Sequence, residues 1–119
     1  MDLPGEVKQT LGIDDATAIR AVGTVFRAVR MTLNAQQFRA VYEAFPHLET
    51  WLKTVPIGGG RTAEMLAIVG PEALDGGLKE LGLDDAQIHT LCRLVGRRIE
   101  GASPDTAKRV AEKLPALKA

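Results

Sequence analysis

The sequence of 119 residues has little of several features that would indicate a specific chemistry. Its single cysteine, Cys92, excludes an intramolecular disulfide framework and any zinc site built from several thiolates. Fifteen Lys and Arg balance fifteen Asp and Glu, so no net positive field attracts nucleic acid or an anionic membrane. No stretch approaches the ~20 apolar residues that span a bilayer. We therefore expect no nucleic-acid partner and no membrane span, with a cytoplasmic location, or a periplasmic one if an export signal has been removed.

The sequence does contain an internal duplication. LGIDDA begins at residue 11 and LGLDDA at residue 81, and identities continue at the same offset of 70 through Val25/Val95 and Arg27/Arg97. After the following turn the offset falls to 69, which aligns Val41/Val110, Glu43/Glu112, Pro46/Pro115 and Leu48/Leu117. Each copy therefore has the same order of segments: the hexapeptide, a helix-length segment, a polar turn and a second helix-length segment.

Both copies carry apolar residues at helical spacing, and neither shows sustained alternation of the kind that predicts strands. In the first copy the series is Ala18, Ala21, Val22, Val25 and Val29; in the second it is Ile88, Leu91, Cys92, Val95 and Ile99. We predict an all-α fold in which residues 1–119 form a single compact domain of two pseudo-symmetric repeats, with six or seven short helices. Repeat one covers about residues 4–52, a glycine-rich connection covers 53–70 with a short helix at 62–69, and repeat two covers about 71–119.

The hexapeptide places two aspartates side by side in each copy, which raises the question of a metal site. Calcium takes six to eight oxygen ligands at a spacing that is absent here. The alternative is a helix end followed at once by a helix start. Gly12 or Gly82 would close one helix in the left-handed conformation, and Asp14 or Asp84 would cap the next. We favour the caps and predict no metal site and no cofactor.

Three other motifs each have a functional and a structural interpretation. The arginines near the ends of the two long segments could bind phosphate, but they also complement helix dipoles. GGGRTAEM could present backbone N–H groups and Arg61 to an anion, but its composition is also that of a flexible connection. Asp85, His89 and Cys92 lie at i, i+4 and i+7, although Cys92 falls on the apolar face, where a lone cysteine usually behaves as a small hydrophobe. No nucleophile and base emerge as a pair, and we predict that the protein is not an enzyme.

The two copies differ most in their aromatic content. All five aromatic residues, Phe26, Phe38, Tyr42, Phe45 and Trp51, lie in the first copy, whereas the second has small residues such as Gly96, Ala107 and Ala111. One interpretation is that large side chains of one half fill the space left by small ones of the other, with Phe26 facing Gly96. The other is that part of the aromatic surface stays exposed as a groove. The five aromatic residues and Arg61 are therefore our candidates for binding a partner or ligand.

The order of LGhDDA, an apolar helix, an LNAQQF-like turn and helix, h-P-x-L, a glycine-rich middle and a second LGLDDA resembles the bacterial VcgC/VcgE family of uncharacterised proteins. The similarity covers roughly residues 7 to 117. The resemblance implies a helical fold, and it brings no activity, cofactor or site residue to this chain.

These observations favour a non-catalytic bacterial interaction module, which uses the first repeat to bind a protein partner or another copy of itself. The alternative is a protein that binds a small apolar ligand in a pocket between the repeats, oriented by Tyr42, Trp51 or Arg61.

Overall fold

The computed structural model describes residues 2–53 and 74–117, apart from the side chains of residues 75 and 116. Within these ranges the chain forms seven α-helices and a final 3-10 helix, and no strand. The helices are α1 (Leu3–Leu11), α2 (Asp15–Thr32), α3 (Ala35–Ala44), α4 (Leu48–Lys53), α5 (Leu74–Glu80), α6 (Asp85–Ala102) and α7 (Pro104–Lys113), followed by the 3-10 helix Pro115–Leu117. The prediction of an all-α fold is confirmed. The helix expected at 62–69 and Arg61 lie outside the described residues.

The helices recur in the order that the duplication predicts. The two long helices, α2 and α6, both have 18 residues, and the helices that follow them, α3 and α7, both have 10. The first series ends with α4, which begins at Leu48, and the second ends with the 3-10 helix, whose last residue is the aligned Leu117. The local elements are thus repeated, while a symmetry of their packing stays a prediction.

The hexapeptide forms the same helix-to-helix corner twice. Gly12 and Gly82 have positive φ angles of 70° and 90°, the left-handed conformation that closes a helix at little cost only for glycine. The Asp14 carboxylate accepts a hydrogen bond of 2.7 Å from the backbone N–H of residue 17, and Asp84 accepts one of 2.8 Å from that of Gln87. In the second copy the Gln87 side chain also accepts from the Asp84 backbone N–H at 3.0 Å, which completes a capping box. The predicted caps are confirmed.

The next turn explains why the offset between the copies falls from 70 to 69. In the first copy the two caps are separate residues: Leu33 is the C-cap of α2 and Asn34 is the N-cap of α3. In the second copy Ser103 does both, since its backbone N–H bonds to the carbonyl of Ile99 and its hydroxyl accepts from the N–H of Thr106. One residue fewer in the turn shifts the later alignment by one.

The centre of the fold is α2, which packs against α1, α4, α5, α6 and α7. Its apolar face is buried almost without exposure, from Ala18 to Val29, and it belongs to one core cluster with the buried faces of α6 and α7. Two polar contacts also join the halves. The Gln87 amide donates to the carbonyl of Leu11 at 3.2 Å, and Arg98 forms an ion pair with Glu6. The Gln87 side chain, which completes the capping box of α6, therefore also holds the end of α1.

The suggestion that Phe26 faces Gly96 is wrong. Phe26 is fully buried beside Phe45 and Trp51 in its own half. At the aligned position, the three atoms nearest to the missing side chain of Gly96 all belong to the backbone of Leu117 in the 3-10 helix. A large side chain therefore supports α4 in one copy, whereas a glycine lets the 3-10 helix approach closely in the other.

Candidate functional site

Three of the aromatic candidates form the buried centre of the first repeat. The ring centroids of Phe26 and Phe45 lie 5.0 Å apart, those of Phe26 and Trp51 5.9 Å, and those of Phe45 and Trp51 6.2 Å. All three side chains are buried. Tilted rings at these separations are favourable core packing. The structural interpretation is therefore confirmed for Phe26, Phe45 and Trp51.

Tyr42 is the aromatic side chain that reaches the surface. It is 38% exposed, and with Met31 it is one of two large hydrophobic residues exposed in the described part of the chain. Its ring meets that of Phe38 edge-on, with centroids 5.1 Å apart and an interplanar angle of 83°. Phe38 is itself buried, and the guanidinium of Arg30 lies over its ring at 5.8 Å from the centroid. Tyr42 is therefore an exposed side chain held by a buried ring.

Tyr42 lies on the rim of a shallow groove with a volume of about 570 Å³ along α3. We call the surface that lines this groove the Tyr42 face. The residues that form it are Arg30, Leu33, Asn34, Ala35, Phe38, Arg39 and Tyr42. Its two charged residues, Arg30 and Arg39, are both basic, and Arg39 lies 4.0 Å from Glu43 on the same helix. The face thus combines an apolar ridge with positive charge.

A second groove, with a volume of about 560 Å³, runs along α7. We call it the alanine groove, and it is lined by Glu100, Pro104, Ala107, Lys108, Ala111, Glu112 and Leu117. Five of these residues align with residues of the Tyr42 face, namely Glu100 with Arg30, Pro104 with Ala35, Ala107 with Phe38, Lys108 with Arg39 and Ala111 with Tyr42. The two repeats therefore present the same face, with large side chains in one and small ones in the other.

One interpretation of the sequence expected the aromatic residues of α3 to fill the space beside the small residues of α7. The structure does not show this. Tyr42 packs on the buried Phe38 within the first repeat, and Ala107 and Ala111 line a groove that no described residue fills. Sequence comparison of the two copies marked both sets of positions. The comparison could not show which of these positions reach the surface, because their exposure depends on how the two repeats pack.

The arginines that could be interpreted as a phosphate-binding stripe are divided among separate contacts. Arg27 points inward and donates to the carbonyl of Leu52, near the end of α4, at 3.3 Å. Burial lowers the pKa of the Arg27 guanidinium, and its Nε has no hydrogen-bond partner among the described residues. Arg98 pairs with Glu6, and Arg30 covers the ring of Phe38. These three side chains act mainly within the fold, whereas Arg93 and Arg97 line a separate groove of about 320 Å³ with Glu6 and His89. The arginines therefore do not form one continuous surface.

The histidine and cysteine of α6 do not converge. Cys92 is buried in the core, whereas His89 is exposed. Within residues 2–53 and 74–117, no group of three or more His, Cys, Asp or Glu is arranged to hold a metal ion. Asp85 instead lies 3.2 Å from Lys79 of the preceding helix, and Asp15 lies 3.1 Å from Lys8 in the first copy. These ion pairs were missed in the sequence, although a lysine near the end of each preceding helix was a usable signal.

A narrow cleft between the repeats is a further candidate. Its volume is about 230 Å³, and its lining includes Phe45, His47 and Trp51 from the first repeat and Arg98 from the second. Ligand pockets usually enclose about 300–1,000 Å³, so this cleft suits only a small molecule. Trp51, proposed from the sequence as an orienting group, forms part of its wall.

Comparisons with known proteins add no relative to this description. No family model, no curated protein and no solved structure matches the chain. The resemblance to the VcgC/VcgE family therefore stays a prediction. Among the described helices, none is long and apolar enough to cross a membrane.

Proposed function

We propose that the protein is a non-catalytic interaction module, and that the Tyr42 face is its contact surface. The observation that carries this proposal is the exposure of Tyr42 on a buried aromatic support, flanked by Arg30 and Arg39. Tyrosine and arginine are enriched among the residues that contribute most to binding energy at protein interfaces.

The packing around Tyr42 lowers the cost of using it as a contact. A side chain that becomes ordered only on binding loses conformational entropy, which weakens the complex. Tyr42 is already packed edge-on against Phe38, whose other contacts include the guanidinium of Arg30. Its ring thus presents apolar area and a hydroxyl from a position that is largely fixed before a partner arrives.

Site-specific photocrosslinking in cells of the source organism tests the proposal. A photoreactive phenylalanine analogue at position 42 should form a covalent adduct with one or a few defined proteins, including other copies of the chain. The matched control carries the same analogue at Arg20, which is exposed on α2 and outside both grooves. Adducts that form from position 42 and not from position 20 support the proposal. Equal patterns from both positions, or no adduct from position 42, would overturn it.

The second candidate function is the binding of a small apolar ligand, and the cleft between the repeats favours it. Phe45 and Trp51 supply apolar walls, and Arg98, which is also paired with Glu6, is the cation that an acidic head group would meet beside the carboxylate of Asp2. Trp51 is the only tryptophan, so its fluorescence reports on this cleft. Titration with hexanoate, a short apolar carboxylate, should give a saturable change in emission that Arg98→Ala weakens. A linear response, or one that this substitution leaves unchanged, would remove the candidate.

A further inference from the structure

We infer that the partner of the Tyr42 face is the alanine groove of a second copy of the same chain. This inference rests on the proposed function and names its partner. The two surfaces are aligned faces of two repeats, yet they differ in the properties that one surface needs to accept the other.

The first difference is size. At two aligned positions the first repeat has Phe38 and Tyr42, and the second has Ala107 and Ala111. Tyr42 projects from α3, whereas the alanines leave an open groove of about 560 Å³ along α7. Small residues allow a close approach of another helix, and a large ring on that helix then fills the space. Among the described residues of one chain, no side chain occupies the alanine groove.

The second difference is charge. Over the aligned charged positions, Arg30 and Arg39 outnumber Glu43 at the Tyr42 face, whereas Glu100 and Glu112 outnumber Lys108 in the alanine groove. The aligned pair Arg30 and Glu100 differs in sign, so the first face meets an attractive potential in the groove and a repulsive one on another copy of itself. Opposite potentials favour the complementary pairing and disfavour like pairing.

The resulting contact joins two different surfaces, so each copy offers one ridge and one groove. If both ridges engage at once, the contact closes into an isologous dimer; if only one engages, the contact is heterologous and extends into a ring or a chain of copies. One ridge and one groove form a small interface, and we expect a dissociation constant in about the micromolar to millimolar range.

Exchange of single residues between the repeats provides the test. Tyr42→Ala gives the ridge the residue that the second repeat has, and Ala111→Tyr gives the groove the residue that the first repeat has. Sedimentation velocity up to about 0.5 mM should show self-association of the wild type, whereas each variant alone should remain monomeric. A mixture of the two variants should form a one-to-one dimer through the intact groove of one and the intact ridge of the other, weaker than a wild-type dimer in which both ridges engage. Met31→Ala, which removes the other exposed hydrophobic side chain, should associate like the wild type.

A wild type that stays monomeric throughout this range, or a mixture that fails to associate, would overturn the inference. If Ala111→Tyr does not fold, Glu100→Arg takes its place: it should weaken association, and adding Arg30→Glu in the same chain should restore it. Weakening without restoration would also overturn the inference. Adducts from position 42 to a different protein, together with a monomeric purified chain, would uphold the proposed function while rejecting the second copy as its partner.

Discussion

Substitution of Gly96 by alanine should destabilise the fold, although alanine is the better helix former by about 1 kcal/mol. Gly96 is buried in α6 under the final 3-10 helix. A Cβ at this position would lie 2.9 Å from the carbonyl carbon of Leu117 and closer still to its oxygen. Carbon atoms pack best at about 3.5–4.0 Å, so the 3-10 helix would have to move outward by about 1 Å.

The size of the effect follows from what that movement disturbs. Overpacking a core typically costs about 1–3 kcal/mol, and a clash with backbone belongs at the upper end because no side-chain rotation relieves it. Leu117 is only 3% exposed, and its displacement also gives up part of the roughly 1.5–3 kcal/mol that burial of a leucine contributes. After the gain in helix propensity is subtracted, we expect the free energy of unfolding to fall by about 2–3 kcal/mol.

Gly101 provides the matched control in the same helix. It is exposed, and outside the adjacent backbone of its own helix no described atom lies within 4 Å of the position that its Cβ would occupy. Gly101→Ala should therefore raise the free energy of unfolding by about 0.5–1 kcal/mol. Urea denaturation followed by circular dichroism measures both variants. If Gly96→Ala is as stable as the wild type, or more stable, the close approach of Leu117 to α6 is refuted.

Three further predictions concern the caps and the aromatic residues. Asp84→Ala should lower the free energy of unfolding by about 1–2 kcal/mol in urea denaturation, because it removes the acceptor of a complete capping box. Asp14 should titrate below its ordinary pKa of 3.8 in carboxyl NMR spectra, since the side chain and backbone N–H of Thr17 donate hydrogen bonds to its ionised form. The stability that ionised Asp14 contributes should therefore be present above the unfolded-state pKa and be lost as the pH falls through the lower folded-state pKa. A measured pKa of Asp14 at or above 3.8 would contradict this prediction. Phe26→Ala should lower the free energy of unfolding by about 3–5 kcal/mol, because its ring is fully buried. Tyr42→Ala should lower it by less than about 1 kcal/mol, because its ring is 38% exposed. Similar losses for both variants in urea denaturation would contradict the assignment of Tyr42 to the surface.

Much of the local structure could be predicted from the sequence because its causes are local. A left-handed glycine, a hydrophobic residue and a capping aspartate occupy consecutive positions, and each acts on backbone within about one helical turn. The corner at Gly12 and Asp14 is therefore visible in six letters. The burial of Cys92 could be predicted in the same way, from its place in the helical periodicity.

The contacts between distant segments could not be predicted in this way. Nothing near Gln87 in the sequence indicates that its amide also bonds to Leu11, 76 residues away. The sequence likewise suggested that Gly96 makes room for a ring, whereas the structure fills that space with the backbone of Leu117. A small residue shows that something comes close, but only the packing of the helices decides what it is.

The same distinction explains how one duplicated unit can present two different surfaces. Each corner is stabilised by its own cap and its own ion pair, Lys8 with Asp15 and Lys79 with Asp85, so its geometry does not depend on the exposed faces of α3 and α7. The exposed positions of those faces, such as Arg30 and Glu100, can change size and charge at a small cost in stability, because exposed substitutions usually alter the free energy of unfolding by less than about 0.5 kcal/mol. The opposite character of the Tyr42 face and the alanine groove is therefore not required by the fold. A requirement that the two surfaces recognise each other would account for it, and the exchange of Tyr42 and Ala111 tests that requirement directly.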